Sequence, residues 1–313
     1  MPNFLIRRVL SIVPIVLVVV VTVFMLLHLG PGDPAALIGG ENATAAQIEA
    51  IRQRLHLDRP LLEQLYLYLA QILRLDLGQS VYSGFPVTTL IAERIEPTAM
   101  LAIATLTLSV LIAVPMGTWS AWRAGSSVDT ALILASVVGF SVPVFVIGYV
   151  LVDLLALRAG WFPVQGYKPL STGVVNTLRS IALPSLTLSF LFAALVARIT
   201  RATMLEVLTE DYIRTARAKG ASDRRILAVH ALKNIGVPVA TVIGTSLAAL
   251  LGGVVITESV FNIPGIGRLT VGAIKTRDYP VVQGVLLVFS FALILVNLLV
   301  DLSYALFDPR VRQ

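Results

Sequence analysis

No cysteine occurs in these 313 residues. The chain therefore has no disulfide framework, no thiolate nucleophile and no thiolate-held metal. Histidine is nearly as scarce: His28, His56 and His230 are scattered, which argues against a His-rich metal centre. Charge is the third shortage. Asp, Glu, Lys and Arg make up 13% of the residues, and 57% are apolar. An average globular domain has roughly 25% charged and roughly 45–50% apolar residues. A soluble fold cannot hide that much apolar side chain behind a wetted surface, so an ordinary cytosolic enzyme and a disordered chain are both excluded. Catalytic signatures are missing too. There is no Gly-x4-Gly-Lys-Ser/Thr phosphate loop, no His-Glu-x-x-His and no Gly-x-Ser-x-Gly. The formal charge of +6 does not point to nucleic acid, because the basic residues flank apolar runs instead of forming one stripe.

Six long apolar runs are present. Each approaches the ~20 residues that a bilayer core requires of a helix. They cover Val9–Leu29, Thr98–Trp122, Thr130–Leu157, Ile181–Thr200, Ile235–Thr257 and Val281–Phe307. Continuous apolar runs cannot be alternating barrel strands, so the expected fold is an all-α polytopic membrane protein with six transmembrane helices. The first run follows Arg7 and Arg8, but Leu27-His28-Leu29-Gly30-Pro31-Gly32 offers no small-x-small cleavage site, so it reads as an uncleaved anchor. With both termini on one side, that side collects thirteen Lys and Arg, eight of them between Arg198 and Lys233. The two short loops opposite hold six, and the long first loop is discounted. Both termini are therefore expected to be cytoplasmic. Pro14, Pro115, Pro143, Pro184 and Pro238 lie in or beside the runs, either as tolerated kinks or as marks of helices that move.

The segment 30–97 is too long for a connector. Thr44 and Gln47 have capping-box spacing, with Ile48, Ile51 and Leu55 then on one face. Pro60 suits a helix start, Leu61, Leu62, Leu65, Leu69, Ile72 and Leu73 form a stripe, and Gly78 is placed to end it. This is either a helical hairpin on the outer membrane face or a platform for an external partner. The segment 203–234 predicts a helix, a turn at Gly220 and a second helix capped by Ser222 or Asp223. By residue types it is either a topology-setting basic loop or a docking surface. Gly244, Ala248 and Gly252 are small residues four apart, either for internal packing or for lining a path or subunit seam. Among acids, Asp153 is expected deepest in the membrane, Glu258 at the interface and Asp301 near the cytoplasmic surface.

The ordered motifs resemble the permeases of ABC importers of the peptide/nickel class. They are Leu29-Gly30-Pro31-Gly32-Asp33-Pro34-Ala35, Leu57-Asp58-Arg59-Pro60-Leu61, Asp76-Leu77-Gly78-Gln79-Ser80, Gly160-Trp161-Phe162-Pro163 and Leu183-Pro184-Ser185-Leu186-Thr187-Leu188. Glu258-Ser259-Val260-Phe261, Pro264-Gly265-Ile266-Gly267, Arg277-Asp278-Tyr279-Pro280 and Asp308-Pro309-Arg310 follow. The Gly-Asp-Pro and the long first loop resemble the first of two paired permeases. In the wider importer motif, Glu-Ala-Ala-x3-Gly followed nine residues later by Ile-x-Leu-Pro, Arg214, Thr215, Ala216 and Gly220 take the first set of positions. His230, Ala231, Leu232 and Lys233 take the last four, and the motif's Glu and Pro are absent, as is usual in the peptide class.

The resemblance implies a type I importer permease in a bacterial inner membrane. Its coupling loop would comprise Arg214, Thr215, Ala216, Arg217, Gly220, Ala221, Ser222, Asp223, Arg224, Arg225, Ile226, Leu227 and His230. It implies a homologous second permease, two cytoplasmic ATPase subunits carrying the ATP and Mg, and an external binding protein that delivers solute. No cofactor is expected on this chain. The solute is expected to be a di- or oligopeptide, with nickel, glutathione and other small solutes in the same permease class. Gly244, Ala248, Gly252 and Asp153 are the pathway candidates. The competing expectation is an ion-coupled carrier or channel built on Asp153. Such a carrier should show internal repeats, and none is convincing between 1–157 and 158–313.

Overall fold

The structure, a computed structural model, describes residues 2–29, 33–40 and 43–307. The side chains of Arg7 and Arg8, Gly30, Pro31 and Gly32 of the first motif, and the whole tail 308–313 lie outside the described residues. In chain order the helices are α1 (Pro2–His28), α2 (Pro34–Gly39), α3 (Ala45–Arg54), α4 (Leu61–Leu73), α5 (Val87–Trp122), α6 (Ser127–Ser141) and α7 (Val144–Leu151). Then come α8 (Val174–Leu208), α9 (Asp211–Ala218), α10 (Asp223–Arg225), α11 (Leu232–Asn234), α12 (Gly236–Val260), α13 (Ile266–Lys275) and α14 (Tyr279–Phe307). Among the described residues, four helices are long and apolar enough to cross a bilayer, and two bent pairs bring the possible total to six.

The third expected run is not one helix. α6 stops at Ser141 and the chain resumes at Val144, bent by 103°. The residue before a proline is pushed out of the helical region, and Val142 accordingly sits at ψ 127 before Pro143. From Val152 to Arg158 the helix widens to π geometry. Pro14, Pro115 and Pro184 stay inside continuous helices. α5 and α8 also outrun the apolar runs Thr98–Trp122 and Ile181–Thr200 that announced them.

One compact unit comprises residues 2–96 and 265–294. Asp33 caps α2 by accepting from the Ala35 amide at 3.1 Å, and it pairs with Arg52 at 2.6 Å. Thr44 and Gln47 close a reciprocal capping box on α3. α4 starts after Pro60 but ends at Leu73, not Gly78. Leu75 takes the left-handed conformation (φ 58). The amides of Asp76 and Leu75 then return to the Gln71 and Ile72 carbonyls at 2.9 Å, a Schellman closure. Gly78 (φ 79) serves a later turn, its carbonyl accepting from Val87 at 3.0 Å. Two distant motifs meet at Asp278, which accepts from the Ser80 hydroxyl and, at 3.1 Å, from the Val81 amide. Val87, Ile91, Ile266, Ala273, Val281 and Val285 form one apolar cluster, and Val20, Val23 and Leu287 another.

The second unit comprises 97–264 and the described residues from 295 onward. α8 is its axis, packed against α6, α7 and α12 and buried along most of its apolar length. Gly117 permits close approach of α5 to α8, since a Cβ there would stand 2.5 Å from the Ala197 carbonyl oxygen. Glu258 is fully buried among protein side chains and accepts from the Thr98 hydroxyl at 2.6 Å.

Candidate functional site

The segment after α8 is a folded helix–turn–helix. Thr209 ends α8, and α9 follows. At the end of α9 the Ala221 amide returns to the Ala216 carbonyl at 3.1 Å, and the Gly220 amide to the Arg217 carbonyl at 2.9 Å. These are the two bonds of a Schellman motif, which needs a left-handed residue between them. Gly220 supplies it at φ 81. Ser222 then sits extended at the start of α10 without a side-chain cap bond. The chain continues through α10, a π-helical stretch Ile226–Ala231 and α11.

Two isoleucines fix this hairpin. Ile213 and Ile226 are completely buried in a cluster with Met204, Ala231, Ile235 and the α5 and α8 residues Ala113 and Val196. Tyr212 and Asn234 tie α9 to α11, the Asn234 amide donating to the phenolic oxygen at 2.9 Å and to the His230 carbonyl at 2.7 Å. Burial pushes the Tyr212 phenol above its ordinary pKa, so at neutral pH it stays uncharged. Arg217 stacks over Trp122 at 5.5 Å, pinning α9 to the end of α5. Arg214, Lys219, Ser222, Asp223, Arg224 and Arg225 are left on the solvent side, and Val229 adds an apolar contact at 55% exposure. Of these cations, Arg214 pairs with Asp211 at 3.5 Å, a surface pair of little energetic weight.

Directly behind the hairpin lies a polar knot that the sequence reading did not single out. Asp129 is buried. It accepts two bonds of 2.7 Å from Arg201, one from the Ser120 hydroxyl and one of 3.0 Å from the Gly125 amide. One carboxylate thus joins the end of α5, the turn after it, the start of α6 and the last turns of α8. The available signal was Ser126-x-x-Asp129, a helix-start spacing, together with an arginine late in an apolar helix.

The four pathway candidates differ in their surroundings. Gly244 is buried, and a Cβ there would meet Val300 of α14 at 2.4 Å. Ala248 and Gly252 are exposed, with open space at Gly252. Asp153 is half-exposed in the π-helical turn and pairs with Arg158 at 2.8 Å. Two cavities of about 560 and 580 Å³ occur in this unit, lined mainly by apolar side chains such as Leu132, Phe140, Val239 and Leu299. The first also has Ser136, Ser141, Arg198 and Arg201 in its wall, and the second Lys233.

Residues 113–313 match the family described as "Binding-protein-dependent transport system inner membrane component". Residues 1–83 match its N-terminal companion, "Binding-prot-dependent transport system membrane comp, N-term". The chain is 50% identical over 309 residues to a probable peptide ABC transporter permease protein, y4tP, of Sinorhizobium fredii, covering 99% of each. It is 44% identical over 313 residues to the glutathione transport system permease protein GsiC of Pectobacterium atrosepticum, covering 100% of this chain and 99% of that one. Among solved structures, an inward-facing MetNI methionine ABC transporter chain superposes with a TM-score of 0.59 at 16% identity. It covers 70% of this chain and 96% of that one, a likeness of fold.

Proposed function

The chain belongs to the family of binding-protein-dependent transport system inner membrane components, and on that premise we propose that it is one of two paired permeases of an ATP-driven importer. The observation that carries this reading is the hairpin 211–234: a basic helix–turn–helix anchored by Ile213 and Ile226 in the same cluster as the transmembrane helices. A projection buried at its base and bare at its tip suits a lever pushed by another protein. The ATPase subunits would supply that push, since this sequence has no phosphate loop. Arg224 and Arg225 at the start of the second helix would meet an acidic groove. Closure of two ATPases on ATP and Mg would be transmitted through the hairpin into α8 and α12.

The solute is proposed to be peptide-like. Relatives named for peptide and for glutathione share one chemistry, a short amide chain with free carboxylates. An external binding protein would hand it over, and the second permease would complete the pathway. Both termini and the hairpin are proposed to be cytoplasmic, a reading supported by the excess of Lys and Arg on that side.

The test is gentle affinity purification of this chain from its native membranes, with mass spectrometry of what accompanies it. A second permease and phosphate-loop ATPases are expected, and the reconstituted set should take up peptides only with ATP. Recovery of the chain alone, with uptake that persists without an ATPase, would overturn the reading.

A further inference from the structure

We propose that α4 is an interfacial membrane helix, embedded in the leaflet at the His28 end of α1, with Leu62, Tyr66 and Leu73 in contact with lipid. The inference needs α1 to be a membrane span; it does not depend on the solute or on which side faces the cytoplasm.

Depth is the first observation. The apolar stretch of α1 covers Ser11–His28. α4 packs beside the end of that stretch, not beyond it. The Tyr68 ring lies 5.5 Å from Phe24, Tyr68, Leu69 and Ile72 pack on the cluster of Val20, Val23 and Leu287, and His28 Nε2 bonds Gln64 Oε1 at 2.8 Å. Gln64 also donates to the Arg59 carbonyl at 2.8 Å, which fixes its amide orientation. A helix held against Val20–His28 shares the depth of those residues.

The second observation is the opposite face. Leu62, Tyr66 and Leu73 are 81%, 70% and 85% exposed, and their spacing of four and seven puts them on one line of the helix. The face turned toward α1 is mixed, carrying Gln64 and Gln71 beside Tyr68, so the exposed line is the apolar side of α4, and such a line belongs in an apolar medium. Charge is the third. Arg59 and Glu63 pair at the beginning of α4, and Arg74 and Asp76 follow its end, with no charged residue from 64 to 73. A helix of 13 residues is about 20 Å long. Lying in the membrane plane, it places both charged ends among headgroups and the uncharged middle against acyl chains. Tyr82 and Phe85, 76% and 61% exposed in the same unit, are the residue types that favour this boundary.

The lack of native cysteine permits a clean test. Single variants Leu62→Cys, Tyr66→Cys and Leu73→Cys are spin-labelled in the full-length chain, with its copurifying subunits, in lipid nanodiscs. Collision rates with oxygen and with a water-soluble nickel chelate are compared. Oxygen access should exceed nickel access several-fold at all three sites, and the order should invert at Ala46→Cys on α3. All three α4 side chains are exposed, so a variant that fails to accumulate leaves two equivalent ones. Nickel access at these sites would place α4 in water, as a platform for a soluble partner. Exclusion of both probes would place it against the second permease. Either result overturns the proposal.

Discussion

Gly220 and Asp129 carry the two most specific residue-scale roles. Gly220 adopts φ 81 between the paired Schellman bonds. A β-branched side chain resists that conformation by about 1–2 kcal/mol, whereas asparagine tolerates it. Gly220→Val should therefore uncouple solute-stimulated ATP hydrolysis from uptake in the reconstituted importer, with the chain still inserted. Gly220→Asn should retain most coupling. Equal losses for both variants would remove the conformational argument. Asp129 answers to a different test. Its bidentate pair with Arg201 is nearly dry on the acid's side, so removing one partner leaves an uncompensated cation beside apolar walls. Asp129→Asn should lower stability by about 3 kcal/mol, the low end for a buried pair because Arg201 keeps some solvent contact. Thermal unfolding of the purified complex would report it. The double variant Asp129→Asn with Arg201→Gln should lose less than the two singles summed.

Among the elements, α12 separates packing from pathway. Gly244→Ala would drive a methyl into Val300, whose branched side chain has little room to turn. A loss of about 1–3 kcal/mol is expected, recovered when Val300→Ala is added. Gly252→Ala meets open space and should leave the unfolding midpoint unchanged or raised. If the exposed part of this face lines the solute path, Gly252→Leu should cut uptake at unchanged stability; intact uptake would dismiss that face. This contrast was not legible in the sequence. Spacing put Gly244, Ala248 and Gly252 on one face but could not show that Val300 crowds Gly244 while Gly252 faces open space. The apolar runs did reveal that helices exist, since hydropathy alone decides that. They missed the start of α5 at Val87, because Glu93, Arg94 and Glu96 interrupt the apolar signal while Val87 and Ile91 are buried in a separate cluster. Pro143 was visible, but the sequence left open whether it would kink or break its helix. The hairpin was the most legible part of the candidate site: Gly220 sits where its turn requires it. Asp129 was the least legible, because its partners lie on three other segments.

Across the whole molecule, the proposed importer would pass force between chains, and the hairpin is the proposed point of entry. Its base is held by Ile213 and Ile226 at full burial, so a push at the tip moves the cluster and is not absorbed by a loop. Its tip carries Arg224 and Arg225 exposed and without an ion pair among the described residues. Exposed cations add little to the chain's own stability but steer and orient a charged partner. Reversing both, Arg224→Glu with Arg225→Glu, should leave membrane insertion and thermal unfolding of this chain unchanged. Recovery of the ATPases in affinity purification should fall by an order of magnitude or more, with uptake falling in parallel. Raising the salt concentration should weaken ATPase recovery with the native chain and have less effect with the reversed one, since screened charges no longer discriminate. Retained ATPase binding by the reversed chain would shift the docking role to the apolar contact at Val229. Truncation of Val229 to alanine would then be the variant that separates the partners, because an apolar contact survives salt and a charge contact does not.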